Sequence, residues 1–131
     1  MGKIKIMDNS MNFQERRLWP RISWNFIIKF RQQQKPEANW EVSLIQNISK
    51  GGCYCFGRIP LGLGEILDIE IQFPTLEDPM KFIGEVKRCE RSRDKNLAIH
   101  GIGIQFTEMD EGKRNTFYQT LDFFLKKQSQ S

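Results

Sequence analysis

A chain of 131 residues with 39% hydrophobic and 27% charged residues is long enough for one domain with a buried core, and its mixture excludes wholesale disorder. Its longest apolar runs are only a few residues, which excludes a membrane-spanning helix, and Met1 to Met7 lacks the apolar stretch of a secretory signal. The net charge of +4 is concentrated: Lys3, Lys5, Arg16, Arg17, Arg21, Lys29, Arg31 and Lys35 oppose only Asp8 and Glu15, giving +6 over residues 1–35 and −2 over the remainder. These features predict a cytoplasmic protein, with no membrane partner and with an anionic partner for its N-terminal third.

Residues 1–14 are polar and without a sustained period, and are expected to form a flexible arm ahead of a domain spanning 15–127. From Arg21 the pattern changes. Ile22, Trp24, Phe26, Ile28 and Phe30 alternate with polar neighbours, which predicts a first strand with these side chains facing a core. A polar turn containing Pro36 leads to a second strand in which Trp40, Val42 and Leu44 define the apolar face. Asn47 to Gly52 forms a turn, and Cys53 to Phe56 a short third strand whose two cysteines share one face as small residues of a wall. Leu67, Ile69, Ile71 and Phe73 mark a fourth strand, Met80 to Glu90 a fifth and Ala98 to Phe106 a sixth. Phe117, Leu121, Phe124 and Leu125 then fall at helical spacing, with Thr107 or Asp110 available to cap the start and Lys126 and Lys127 suited to the C-terminal dipole. Residues 128–131 are expected to be a tail. Six short strands followed by one helix predict an all-β domain with a C-terminal helix, an antiparallel barrel or sandwich with the helix on an open end or flank.

Catalytic constellations are absent from the sequence. Its one histidine, His100, falls inside an expected strand, no serine stands in a nucleophile elbow, and Gly62-Leu-Gly64 lacks the third glycine and following helix of a dinucleotide fingerprint. Cys53, Cys55 and Cys89 match no disulfide framework, and with His100 they match no zinc-module spacing. The expectation is a protein that is not an enzyme and carries neither cofactor nor metal.

Two segments carry the candidate chemistry. In Glu15-Arg16-Arg17-Leu18-Trp19-Pro20-Arg21, three arginines surround a proline that disfavours both helix and strand. Guanidinium groups are planar forks that match phosphate oxygens or the O6 and N7 edge of guanine, and they stack on base faces. In Asn47-Ile48-Ser49-Lys50-Gly51-Gly52, short polar side chains and a glycine pair sit between two strands, where turn amides favour anions.

Together these segments resemble the PilZ family of bacterial cyclic di-GMP receptors. Arg17-Leu-Trp-Pro-Arg21 matches the family's first motif of two arginines separated by three residues. Asn47-Ile-Ser49-Lys-Gly-Gly52 matches the fixed positions of its second motif. The likeness continues through Gly103-Ile-Gln-Phe106 and the closing helix, over about residues 15–127. It implies a six-stranded antiparallel β-barrel with helical additions. It further implies that Arg17 and Arg21 hold guanine and phosphate groups, and that Asn47 and Ser49 hydrogen-bond the guanine and phosphate edge, while Gly51 and Gly52 leave room. Arg16, just ahead of the first motif, is placed to reach a second stacked guanine and so to favour an intercalated ligand dimer.

Three functions are compatible with these residues. The first is a cyclic di-GMP receptor whose arm closes on the ligand and which signals to a separate effector protein. The second is a PilZ-like protein-interaction module with little ligand binding. The third is a generic barrel for single-stranded nucleic acid, which requires aromatic side chains exposed on a strand face. Because Trp24, Phe26, Phe30 and Trp40 are expected to face inward, the first is preferred and no nucleic-acid polymer is expected as a partner.

Overall fold

The structure of the chain is a computed structural model that describes residues 3–5, 20–92, 96 and 98–129. Among these, the strands in chain order are β1 (Lys3–Lys5), β2 (Ile27–Gln32), β3 (Glu41–Ser49), β4 (Gly52–Gly57), β5 (Ile66–Gln72), β6 (Met80–Arg91) and β7 (His100–Asp110). A 3-10 turn (Glu111–Lys113) and helix α1 (Arg114–Ser129) follow. Strands β2 to β7 close on themselves: β2 pairs with β3, β3 with β4, β4 with β7, β7 with β6, β6 with β5 and β5 again with β2, always antiparallel. The result is a closed six-stranded antiparallel barrel, in which every one of these strands has two barrel neighbours. β1 adds to the far end of β7, with Lys3 opposite Asp110, so residues 3–5 of the expected arm form a strand.

The barrel is filled by the inward half of each alternating strand. Leu67, Ile69 and Ile71 of β5 are buried while Ile66, Asp68, Glu70 and Gln72 are not; Phe82 and Val86 of β6 and Ile102, Ile104 and Phe106 of β7 complete the interior. Cys53 and Cys55 are buried free thiols on the inner face of β4, as the two-residue spacing predicts. Two irregularities bend the long β6–β7 pair. Thr107 is the extra residue opposite Ile83 and Gly84, and Lys87 is the extra residue opposite Gly103 and Ile104. The Thr107 hydroxyl donates to the Ile83 carbonyl at 3.1 Å and so satisfies an acceptor at the bulge.

Bulges also explain where sequence periodicity misassigned a face. In β3, Val42 and Leu44 are 62% and 49% exposed, whereas Ile45 and Ile48 are buried. Gln46 is an extra residue between the Ile45–Cys55 and Asn47–Tyr54 pairs, and each extra residue inverts the parity of what precedes it. Trp40 is only half-buried and carries the Arg31 guanidinium 4.4 Å from its ring centroid. The first expected strand is likewise interrupted. Ile22 bridges to Ile48, but the pairing resumes at Phe26 and Ile45 with one residue gained, and the Phe26 N–H folds back to the Trp24 carbonyl at 3.0 Å. Trp24 is consequently 38% exposed and leans on Phe124 with ring centroids 4.9 Å apart, while Phe26 and Phe30 are buried as expected.

Helix α1 covers the barrel end at which β5 and β7 finish and β6 begins. Asp110 caps the entry by accepting from the Gly112 N–H at 2.8 Å, which selects it over Thr107. Phe117, Leu121 and Phe124 are buried, and Leu125 packs at the margin. The Phe117 ring lies 4.9 Å from Phe82, 6.0 Å from Phe106 and 6.2 Å from Phe73, and Phe124 lies 4.9 Å from Phe26. These edge-on and tilted contacts make the helix the lid of the core rather than an appendage. Among the described residues no helix is long and apolar enough to cross a membrane.

Phe117→Ala should therefore remove the centre of this aromatic cluster and cost about 3–5 kcal/mol of unfolding free energy. Urea denaturation followed by tryptophan fluorescence measures it; a loss under about 1 kcal/mol would show that the lid is not part of the cooperative core.

Candidate functional site

The site is built on one short antiparallel bridge. The Ile22 N–H donates to the Ile48 carbonyl at 2.8 Å, and the Ile48 N–H donates to the Ile22 carbonyl at 3.0 Å. Both side chains are buried, so this bridge ties the segment before β2 to the end of β3 through backbone and core at once. The register brings Arg21 level with Ser49 and Ser23 level with Asn47, on the side away from the two isoleucines. Arg21 Nη1 donates to Asn47 Oδ1, so a residue from each of the two motifs is joined directly although 26 positions separate them. Asn47 is a neutral acceptor: it orients the guanidinium without cancelling its charge.

The second motif shapes the hairpin. Ser49 and Gly52 pair across the turn formed by Lys50 and Gly51, and the Gly51 N–H donates to Ser49 Oγ at 3.3 Å. The Gly51 carbonyl accepts from the Phe106 N–H at 2.9 Å. A Cβ on Gly52 would stand 2.1 Å from the Ile104 carbonyl oxygen. Both glycines therefore serve the seam between β4 and β7, and Gly52 is required there because the β7 backbone occupies the place of a side chain. Ser49 is 3% exposed, level in register with the exposed Arg21.

Helix α1 completes the arrangement from the other side. The Gln128 side-chain amide accepts from the Ser23 N–H at 2.7 Å and donates to the Arg21 carbonyl at 3.3 Å. Lys50 extends its ammonium over the Tyr118 ring, 4.5 Å from the centroid. Neither contact was anticipated. Gln128 lies within the helix, which runs through Ser129, rather than in a tail. One signal for it does exist in the sequence: it stands eleven residues after Phe117, on the same helical face as Leu121 and Phe124.

Of the expected ligand residues, the structure brings together Arg21, Asn47, Ser49, Gly51 and Gly52. Arg16 and Arg17 lie outside the described residues. Elsewhere, a cleft of about 640 Å³ is lined by Glu70, Glu77, Asp78 and Asp110 against Lys81 and Lys113, the wrong balance for an anionic ligand. His100 is a half-buried member of β7 opposite Gly57 and Arg91. Among the described residues no group of three or more histidine, cysteine, aspartate or glutamate side chains could hold a metal ion.

Fold and site define a small closed barrel that presents an arginine-bearing strap and an Asn-Ser hairpin beneath a C-terminal helix. The chain belongs to the PilZ domain family, whose model matches residues 15–122. Its fold is similar to that of the Bacillus subtilis inhibitor of motility MotI/DgrA, at 17% identity over 86% of this chain and 51% of that one, with a TM-score of 0.66. It is also similar to K. pneumonia MrkH in its complex with c-di-GMP, at 15% identity over 86% of this chain and 53% of that one, with a TM-score of 0.66. The PilZ domain of YcgR from Escherichia coli, solved with c-di-GMP, matches at 13% identity over 87% of this chain and 94% of that one, with a TM-score of 0.58. The chain spans about half the length of the Bacillus and Klebsiella proteins. No curated protein sequence matches it.

The Gly52 contact has a measurable consequence. Gly52→Ala should lower stability by about 1–3 kcal/mol, because the β4–β7 seam must open to admit the methyl group. Thermal melting of the two proteins tests this, and an unchanged midpoint would show that the seam accommodates a side chain.

Proposed function

We propose that this chain is a cyclic di-GMP receptor that holds its ligand through Arg16, Arg17, Arg21, Asn47, Ser49, Gly51 and Gly52, and that passes the binding event to a separate effector protein. The observation that carries this reading is the Arg21–Asn47 hydrogen bond, which unites the two family motifs on one outer face of the barrel. Family membership over residues 15–122 and the c-di-GMP complexes of MrkH and YcgR support the choice of ligand.

The chemistry of the residues suits a dianion with two flat purines. Arg21 offers a charged fork on an exposed site, and each charge-assisted hydrogen bond it makes to a phosphate or guanine edge contributes roughly 1.5–3 kcal/mol. With Oδ1 of Asn47 engaged by Arg21, its Nδ2 hydrogens are left to donate to a ligand acceptor. The Ser49 hydroxyl accepts from Gly51 and keeps its own proton to donate. Arg17 and Arg16 bring further cations from the preceding segment, Arg16 toward a second stacked guanine. Closure of that segment on the ligand is the conformational change that an effector would read. No step of this function requires catalysis.

A second reading, a barrel for single-stranded nucleic acid, draws on one observation. Trp24 and Phe123 are 38% and 45% exposed and both flank Phe124, near Lys127, whose ammonium lies 5.6 Å from the Phe123 ring centroid. Stacking platforms amid cations are what such binding uses.

Isothermal titration with cyclic di-GMP, beside GTP and an oligonucleotide, separates the readings. The receptor binds the cyclic dinucleotide selectively and takes two molecules per chain; one per chain would remove the role given to Arg16. Arg17→Ala and Arg21→Ala should each weaken binding at least about tenfold, the loss of a single charge-assisted contact. Full affinity in both variants would overturn the site. Oligonucleotide binding that falls steeply with salt, with no preference for the cyclic dinucleotide, would favour the second reading.

A further inference from the structure

We infer that Gln128 is a positioning residue for the ligand site: its side-chain amide acts as a surrogate strand that fixes the backbone of Arg21 and thereby aims the guanidinium. This deepens the receptor reading and rests on it.

The geometry is that of a sheet edge. One edge of the Arg21–Ser23 segment is satisfied by Ile48, which bonds both backbone groups of Ile22. On the opposite edge, the backbone groups exposed by an extended chain are the carbonyl of Arg21 and the N–H of Ser23. Gln128 meets both with one amide, donating from Nε2 at 3.3 Å and accepting at Oε1 at 2.7 Å. A primary amide carries a donor and an acceptor side by side, much as a single residue of a neighbouring strand presents its own N–H and C=O to one edge. A carboxylate at this position would only accept from the Ser23 N–H, and a lysine ammonium would only donate to the Arg21 carbonyl. The segment thus becomes the middle of a three-part ladder, although only Ile22 in it makes a strand bridge.

Alone, the Ile48 bridge leaves Arg21 as the first residue beyond a single ladder rung, where rotation about its own backbone would swing the guanidinium away from Asn47. A second anchor on the Arg21 carbonyl removes that freedom before the ligand arrives, so less ordering remains to be done on binding. The anchor itself is held by packing: Phe124, one turn earlier on the same face, is buried against Phe26 and Trp24. The lid of the barrel and the aim of the site's arginine are in this way one unit, and a protein or modification that shifted the last turn of α1 would change ligand affinity without touching the ligand.

The test is a double-mutant cycle between Gln128→Met and Arg21→Ala, read by titration with cyclic di-GMP. Methionine keeps the length and helix preference of glutamine but offers no such hydrogen bonds. The Arg21 carbonyl survives in Arg21→Ala, so the clip persists in that background and only the side chain it aims is removed. Gln128→Met should weaken binding about fivefold, the worth of one net hydrogen bond, and should have little further effect once Arg21 is alanine. The Ser23 amide should exchange faster with solvent in Gln128→Met while the barrel amides keep their protection, which verifies that the fold is intact. Two results would overturn the inference: unchanged affinity in Gln128→Met when Arg21→Ala binds weakly, or an equal loss from Gln128→Met in both backgrounds. Failure of the receptor reading looks different, since Arg21→Ala would then bind as well as the unaltered chain.

Discussion

Everything at the candidate site hangs on the pair of backbone hydrogen bonds between Ile22 and Ile48. The barrel is complete without them, because β2 to β7 already close the ring. What they add is attachment: the basic segment ahead of β2 is stitched to the end of β3 by two bonds and two buried isoleucines. An extended chain with one residue forced inward has its neighbours forced outward. Burying Ile22 and Ile48 thus puts Arg21, Ser23 and Asn47 outside, and a surface arginine finds its asparagine with little left to order.

The helix extends the same constraint from a different direction. Its apolar stripe is anchored by phenylalanines from four separate stretches of chain, Phe26, Phe73, Phe82 and Phe106, so its orientation is settled by core packing rather than by its own propensity. Once Phe124 is seated, the next turn brings Gln128 to the strap. Lys50 reaches the helix in turn through Tyr118, so the hairpin of the second motif and the strap of the first both contact α1. A receptor that must communicate binding beyond its ligand would have, in α1, an element in touch with both halves of the site.

The second motif illustrates how one residue satisfies two demands. Gly51 and Gly52 fit a pattern for ligand binding, and the structure gives both of them roles in the wall: the Gly51 carbonyl caps the Phe106 N–H, and Gly52 yields its side-chain volume to the Ile104 carbonyl. On the outer face of the same seam, Tyr54 covers Gly101 so closely that a Cβ there would meet the phenol oxygen at 1.7 Å. The glycines Gly52 of β4 and Gly101 of β7 let backbone and ring approach each other across this seam.

By itself the sequence determined the six strands of the barrel, the closing helix, the inner face of β5, the wall position of Cys53 and Cys55, and the residues of both motifs, because each of these follows from local periodicity or local chemistry, whereas the added strand β1 follows only from its pairing with β7. The inward face of β3, the exposure of Trp24 and Trp40 and the placement of Gln128 were decided only in three dimensions. Parity along a strand survives until an extra residue enters, and whether Gln46 or a residue between Ile22 and Phe26 is extra depends on the partner strand, which a single-chain pattern does not contain. The same holds for the site's geometry. Arg21 and Asn47 were recognisable as types, but that they touch, and that a glutamine 107 positions further along holds the arginine's carbonyl, follows from barrel closure and from the seating of the helix on its phenylalanines.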